Sequence, residues 1–402
     1  MVEPSNLLLW FGCVQWHLIF SLRFFLEAMK FTIVLADFQK LLQTVIQAVP
    51  PKSTLPVLEN VHAVVSGSTL QVTATDQELT IISTADVESV GEGEILMPAR
   101  RLLDLIKALG STGKVSVSTD DKTLKITLKT DGGEYVLHGL SAREFPDIPD
   151  FSDGASLHLA AADAMTIART ASFAASKDEY RPSMTGMLLR GDAKSLAAVT
   201  TDGFRLVRVL IHAGEQPLAR PSVDVIIPVR AIDLLKKVDN DLDMLVNRTH
   251  ARFSLGRTVV ITRIIDEVFP PYEGVIPKDN DKVARFLISD LMASVKRVSL
   301  FANPNTKQIR FQLAKNSLTT VADDVETGNR GQEGISCDYD AESFEIGFNY
   351  RYIEDALSHL SDTGASEAVA TFSTPSRAVL IKPLRDEQES DDVLMLVMPV
   401  RL

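Results

Sequence analysis

Leu70-Gln-Val-Thr-Ala-Thr-Asp76 recurs as Leu196-Ala-Ala-Val-Thr-Thr-Asp202 and again as Leu318-Thr-Thr-Val-Ala-Asp323. A second landmark keeps step with it: Met97-Pro-Ala-Arg100, then Ile227-Pro-Val-Arg230, then Phe348-Asn-Tyr-Arg351, each ahead of an apolar helical pattern. A third closes each copy, as Phe145-Pro146, Phe269-Pro270 and Met398-Pro399. The aspartates lie 126 and 121 residues apart and the arginines 130 and 121. That period is too long for a solenoid unit and suits a whole domain. Three similar domains in a row point to a protein whose shape is its function.

The bulk numbers agree. Length alone, 402 residues, suggests two to four domains, and each copy is long enough to bury a core of its own. With 45% hydrophobic and 23% charged residues the composition is that of an ordinary soluble protein. A net charge of −12 argues, by itself, against a protein that grips nucleic acid tightly. The two cysteines, Cys13 and Cys337, offer neither a disulfide framework nor a zinc site, which fits a reducing cytoplasm. Residues 1–28 stand apart. Leu7 to Leu26 is strongly apolar and holds both tryptophans, Trp10 and Trp16. A signal peptide or membrane anchor is one reading. Against it, only Glu3 precedes the apolar run as a charged residue, Gln15, His17 and Arg23 interrupt it, and no small-residue cleavage site follows. The favoured reading is an upstream extension that is not part of the working protein, with Met29 as the true start.

Each copy opens with an alternating segment and an amphipathic helix. In the first, Phe38, Leu41, Leu42, Val45, Ile46 and Val49 fall at helical spacing until Pro50-Pro51 stops them. The equivalents run from Asp163 to Phe173 and from Asp290 to Leu300. A second helix is expected over Arg100–Leu109, Arg230–Val238 and Asn349–Leu360. Short strands fill the rest, among them Thr69–Thr75, Lys114–Ser118, Thr123–Leu128, Glu134–His138, Val259–Ile264 and Ala378–Ile381, divided by tight turns such as Asp131-Gly132-Gly133. The class is α+β: three tandem domains, each with two helices on mostly antiparallel sheets. The expected boundaries are 29–149, 150–279 and 280–402. On the expected helices, eleven basic residues (Lys40, Arg100, Arg101, Lys107, Arg169, Arg230, Lys236, Lys237, Lys296, Arg297, Arg351) outnumber seven acidic ones, in a chain that is acidic overall. A helix-lined face would be positive; solvated helix faces with scattered lysines are the bland alternative.

Catalytic chemistry finds no support. Gly110-Ser-Thr-Gly113-Lys114-Val115 lacks the spacing and the hydroxyl of a phosphate loop. The seven histidines never pair at ligand spacing, and no nucleophile motif occurs. Asp76 and Asp202 stand at strand ends before turns, where a structural hydrogen-bonding role is expected. The expectation is no catalytic residue, no metal and no cofactor.

Taken together and in order, Met29-Lys-Phe31, Ser53-Thr-Leu-Pro-Val-Leu58, Ala74-Thr-Asp76, Pro98-Ala-Arg100, Leu140-Ser-Ala-Arg-Glu-Phe-Pro146, Thr201-Asp-Gly-Phe-Arg-Leu206, Phe269-Pro270, Glu345-Ile-Gly-Phe-Asn349 and Met398-Pro-Val-Arg-Leu402 carry a resemblance. From Met29 to Leu402 the chain resembles the bacterial DNA sliding clamps, the β subunits of DNA polymerase III. The resemblance implies three clamp domains forming half of a closed ring, a head-to-tail homodimer around double-stranded DNA bound without regard to sequence. It implies a cytoplasmic processivity factor with no membrane partner. The replicative polymerase α subunit, the clamp loader, other polymerases and repair proteins would dock through short peptide motifs.

Three sites follow from the resemblance. A partner-peptide groove would take in Met184, Thr201, Gly203, Phe204, Arg205, Leu206, Pro270, Val275, Thr306, Val397, Met398, Pro399, Val400, Arg401 and Leu402. The chain departs from the family pattern there: Phe204 stands where His is common, Gly274 where a basic residue is, Thr306 for an aromatic and Val400 for Met. DNA contacts would fall on Lys52, Arg100, Lys177, Arg181 and Arg230, with Arg101 added from charge and adjacency. The subunit contact would bring Tyr135 and Leu137 of one copy to Leu300 and Phe301 of the other; the rival reading makes all four ordinary core residues. Two functional alternatives stand beside the leading one: a specialised clamp paralogue with altered partners, such as one conferring inhibitor resistance, and a membrane-anchored scaffold held by Leu7–Leu26.

Overall fold

The computed structural model describes residues 29–149, 153–214, 217–385, 388–389 and 392–402; the extension read at 1–28 lies outside them. Six α-helices are found among the described residues, two in each copy: α1 (Leu35–Val45), α2 (Ala99–Leu109), α3 (Ala161–Ala171), α4 (Val229–Ile232), α5 (Ile288–Val298) and α6 (Tyr350–Ser361). The strands pair antiparallel, as in Arg205–His212 against Ser195–Thr201. The strand–helix unit occurs twice per copy. Strands 30–34, 155–159 and 282–287 lead into α1, α3 and α5; strands 93–98, 223–228 and 344–349 lead into α2, α4 and α6. The recurring Pro-x-Arg landmark therefore marks a strand-to-helix junction. Pro98 and Pro228 stand at the cap positions, where a missing N–H costs nothing; in the third copy Asn349 caps instead, accepting from the Arg351 N–H at 3.1 Å.

The helices form because one stripe of each is apolar and buried. In α1 that stripe is Leu35, Phe38, Leu41, Leu42 and Val45; in α2 it is Ala99, Leu102, Leu103 and Ile106 while Arg100, Arg101 and Lys107 stay exposed. Each large apolar side chain so buried stabilises the fold by about 1.5–3 kcal/mol. One expectation is corrected in the central copy. Its second helix, expected over 230–238, is α-helical only from Val229 to Ile232 and tightens to a 3-10 helix from Asp233 to Lys237.

Two compact units emerge. In the first, Ile81–Asp147 packs with residues 29–77; in the second, Ile148–Leu402 packs with Glu78–Thr80. The first unit holds one sheet in the order 88–91, 30–34, 114–120, 125–130, 133–138 and another running 79–86, 69–75, 60–66, 93–98. In the second unit the central copy's strands 223–228, 186–191, 195–201 and 205–212 continue directly into 393–397, 379–385, 367–372 and 282–287 of the third. The seam is Arg205↔Val397 through Val209↔Val393. All five residues of the last strand, Val393–Val397, are buried. The second and third copies form one unit because the chain's last strand completes a sheet that the central copy begins.

Candidate functional site

The seam sheet carries the candidate site. Leu188, Val199, Leu206, Ile226, Phe269, Tyr272, Leu380, Leu394 and Leu396 form one buried apolar cluster drawn from both copies. Along its margin lie apolar side chains that the fold leaves in solvent: Phe204 is 56% exposed, Val275 57%, Met398 37% and Leu402 59%. Scattered apolar exposure is ordinary; several such side chains near one buried cluster mark a candidate binding surface.

The Thr201–Leu206 turn is tightly specified. Asp202 Oδ1 accepts from the N–H groups of Phe204 (2.9 Å) and Arg205 (3.0 Å). Thr201 Oγ1 accepts from the Gly203 N–H at 3.1 Å and donates to the Arg205 carbonyl at 2.7 Å. Gly203 takes φ +90, a left-handed conformation that a side chain disfavours. Asp202 thus plays the structural part expected of it.

The chain end is docked against this turn. The Met398 N–H donates to the Phe204 carbonyl (2.8 Å) and the Val400 N–H to the Gly347 carbonyl (2.9 Å). Gln308 Nε2 reaches the Arg401 carbonyl at 3.4 Å. Gly347 permits the approach: a Cβ there would stand 2.8 Å from Leu402 Cδ2 and 3.0 Å from the Val400 carbonyl oxygen. Val397 and Leu206 are buried in the sheet, Pro270, Pro399 and Val400 are half-buried, and Arg401 is exposed. Met184, half-buried, closes the loop that starts at Ser176, whose N–H donates to its carbonyl (2.9 Å). Thr306 is exposed in the turn before strand 308–314, its N–H on Asn303 Oδ1 at 3.2 Å.

Four residues of this region escaped the sequence reading: Phe173, Tyr352, Asp355 and His359. Tyr352, not Thr306, supplies the aromatic beside Phe204, with ring centroids 6.4 Å apart and planes 20° apart. It follows the Glu345–Asn349 run by three positions, so the helical spacing from Asn349 was the available signal. Burial, then the Asp202 carboxylate, raises the Tyr352 phenol above its ordinary value.

The basic candidates are all exposed or half-exposed. In the first unit Arg100 and Arg101 open α2, and Arg100 Nη2 donates to the Val49 carbonyl at 3.3 Å, beside the turn that carries Lys52. In the second, Lys177 and Arg181 share one loop, and the Val229 N–H on the Thr185 carbonyl (3.3 Å) sets Arg230 at that loop's end. Arg181 also bonds Asp178 at 2.8 Å. That hydrogen bond holds the Asp178 carboxyl below its ordinary value.

Two sheet edges complete the inventory. Strand Gly133–His138 ends its sheet in the first unit, with Tyr135 half-buried and Leu137 8% exposed. Strand Asn329–Ser336 ends its sheet in the second. Against it lies the 3-10 helix Ser299–Phe301, where Leu300 is 81% and Phe301 42% exposed. Leu137 is therefore a core residue of its own domain, and Leu300 is not.

Comparison with known proteins places this geometry. The N-terminal domain of the DNA polymerase III beta subunit matches residues 29–149, its central domain 161–271 and its C-terminal domain 273–401. The beta sliding clamp of Pseudomonas putida is 31% identical over 379 residues, covering 93% of this chain and 100% of the relative. That of Escherichia coli (strain K12) is 26% identical over 371 residues, covering 89% and 100%. A crystal structure of the Pseudomonas aeruginosa sliding clamp bound to griselimycin superposes with a TM-score of 0.86 at 28% identity, over 94% of this chain and 100% of that one. With all three domains matched in order, the chain belongs to the DNA polymerase III beta subunit family, the beta sliding clamps.

Proposed function

We propose that two copies of this chain join head to tail into a ring around duplex DNA, and that the seam groove tethers the replicative polymerase to that ring. As a beta sliding clamp the chain is a processivity factor that tethers its partners, in a family that works without catalysis. The observation that carries the ring reading is the pair of unlike sheet edges, 133–138 in the first unit and 329–336 in the second, the latter flanked by exposed Leu300 and Phe301. An edge whose outer N–H and C=O groups lack a strand partner invites another strand. Two different complementary patches on one chain make a heterologous contact, which closes when the rotation permits. Tyr135 and Leu137 of one copy then meet Leu300 and Phe301 of the next.

Lys52, Arg100, Arg101, Lys177, Arg181 and Arg230 contact phosphates and read no bases, so the ring slides. Its hold on DNA comes from encirclement, and a polymerase bound to it stays at a raised local concentration. The groove takes short peptides with apolar anchors from the polymerase α subunit, the clamp loader and other replication and repair proteins; the buried floor under Leu206 gives affinity. The compartment is the cytoplasm. Among the described residues no helix is long and apolar enough to cross a membrane. Relatives named simply beta sliding clamps match nearly the whole chain, which does not favour a specialised paralogue.

Sedimentation equilibrium tests the contact. Dimers are expected for the wild type and monomers for the double variant Leu300→Asp, Phe301→Asp. Monomers of the wild type at every concentration would overturn the ring.

A further inference from the structure

The loop 176–185 belongs to two candidate sites at once. Lys177 and Arg181 are among the basic candidates for phosphate, and Met184 is a groove candidate. Hydrogen bonds tie the backbone between them. The Ser176 N–H donates to the Met184 carbonyl at 2.9 Å, the Arg181 N–H to the Asp178 carbonyl at 3.1 Å and the Met184 N–H to the Arg181 carbonyl at 3.0 Å. Asp178 Oδ1 also takes the Tyr180 N–H at 3.0 Å.

From this tied backbone the Arg181 side chain reaches the groove turn. Its Nε donates to Asp178 Oδ2 at 2.8 Å, and its Nη1 lies 3.3 Å from where a Cβ on Gly203 would stand. The guanidinium therefore covers the glycine of the Thr201–Leu206 turn. The side chains of Arg181 and Asp178 are 46% and 36% exposed, so solvent screens the pair and holds it weakly. A duplex offers the same fork a row of phosphate oxygens, which it can take two at a time.

The other side of the turn is fixed. Arg205 Nε donates to Asp202 Oδ2 at 3.0 Å, Nη1 to Asp355 Oδ2 at 2.5 Å and Nη2 to the Phe173 carbonyl at 3.1 Å. Phe173 in turn stacks on His359 of α6 at 4.2 Å and 8°. The Arg205 side chain is only 13% exposed. The turn is thus pinned to α6 through Arg205 and covered at Gly203 by a cation that has an alternative partner in DNA.

We infer that Arg181 links the two sites: one placement of its guanidinium, held by Asp178, covers Gly203 at the end of the groove, and a second, on a DNA phosphate, uncovers it, so that duplex and partner peptide bind cooperatively. The inference rests on the groove being the partner site and on Arg181 meeting phosphate. Two sites, two placements and a different contact for each ligand in each placement define such a linkage. By reciprocity a peptide that keeps Arg181 off the turn tightens duplex binding by the same factor. Coupling carried by side chains between two sites changes affinity by roughly two- to thirtyfold. Its effect is to favour docking on protein that already holds DNA.

The test uses the full chain and the hexapeptide Ser-Ala-Leu-Ala-Leu-Phe, amidated and labelled at its N-terminus with a neutral dye so that it carries no charge. Peptide affinity is titrated by fluorescence anisotropy at low salt, with and without a saturating short linear duplex. In the wild type the duplex should raise peptide affinity by roughly two- to thirtyfold. Arg181→Ala uncovers Gly203 permanently: its affinity without duplex should match the wild type's with duplex, and duplex should add nothing. Asp178→Asn loosens Arg181 from its place on the turn; it should give an intermediate affinity without duplex, and it serves if Arg181→Ala fails to fold. Lys52→Ala removes a phosphate contact in the other compact unit and should keep the wild-type enhancement once duplex saturates. A wild-type affinity that duplex leaves unchanged or lowers would overturn the inference. So would an enhancement that survives Arg181→Ala, an Asp178→Asn affinity equal to the wild type's, or an equal loss of enhancement in Lys52→Ala. Failure of the peptide to bind the wild type in either condition removes the groove reading, and failure of the duplex to bind removes the phosphate reading; each takes this inference with it.

Discussion

The aspartate that closes the repeated strand does different work in the second copy and in the third. At Asp202 the strand stops, Gly203 turns at φ +90 and the carboxylate takes two backbone N–H groups and Arg205 Nε. At Asp323 the strand runs on to Asp324, and the carboxylate instead lies among side chains, held by Arg310 and by Arg330 Nε at 3.3 Å. The turn-capping duty has moved one residue along: Asp324 accepts from Glu326 N–H, Thr327 Oγ1 and Asn303 Nδ2. The first copy resembles the second in outline, with Gln77 at φ 76 and its N–H on Thr75 Oγ1 at 3.0 Å. One recurring strand end thus places an exposed aromatic beside the chain's last strand only where Gly-Phe-Arg follows it. The tight turn supplies Phe204 and Arg205, and the chain's own last strand arrives beside them.

The comparison can be broken in steps. Deleting Met398–Leu402 removes the Met398 and Val400 hydrogen bonds to the turn and to Gly347 but leaves strand 393–397 whole. Peptide affinity should fall by roughly a hundredfold or more, with the dimer intact by sedimentation; undiminished affinity would count against the groove. Asp202→Ala should cost about 2–4 kcal/mol of unfolding free energy in urea, because a carboxylate only 16% exposed leaves two N–H groups and a guanidinium short of a partner. Asp323→Ala, in a more exposed ion-pair cluster, should cost about 0–1 kcal/mol; equal costs would erase the distinction. Gly203→Ala should cost about 1–2 kcal/mol from its left-handed backbone. A Cβ there would also stand 3.3 Å from Arg181 Nη1. The smallest effect is alkaline. The folded Tyr352 phenol titrates above its ordinary value of 10.0, chiefly through burial. The stability it contributes is full below that value and is lost as pH rises through the folded one. Burial likewise raises the phenols of Tyr272 and Tyr339, so absorbance titration should show a late-ionising group of tyrosines that Tyr352→Phe reduces by one.

Much of this was legible in the chain itself. The repeated segment closing on Asp76, Asp202 and Asp323 and the landmark ending in Arg100, Arg230 and Arg351 report local facts, a strand end and a strand-to-helix junction, and local facts survive in spacing. Thr69–Thr75 was read to the residue. The shortened α4 was not visible, since Ala231, Ile232 and Leu235 keep helical spacing whether the turn is α or 3-10. Neither was the joining of the second and third copies, because a pairing such as Arg205↔Val397 leaves no periodicity. Tyr352 and Asp355 read as helix residues; their meeting with Arg205, in the case of Asp355 across 150 positions, is a fact of packing alone.

The central claim is that the hold on DNA is topological, and retention on nicked circular against linearised duplex tests it most directly. Loaded protein should stay on the nicked circle through moderate salt and leave when the same DNA is cut once. Equal loss from both forms would contradict the account.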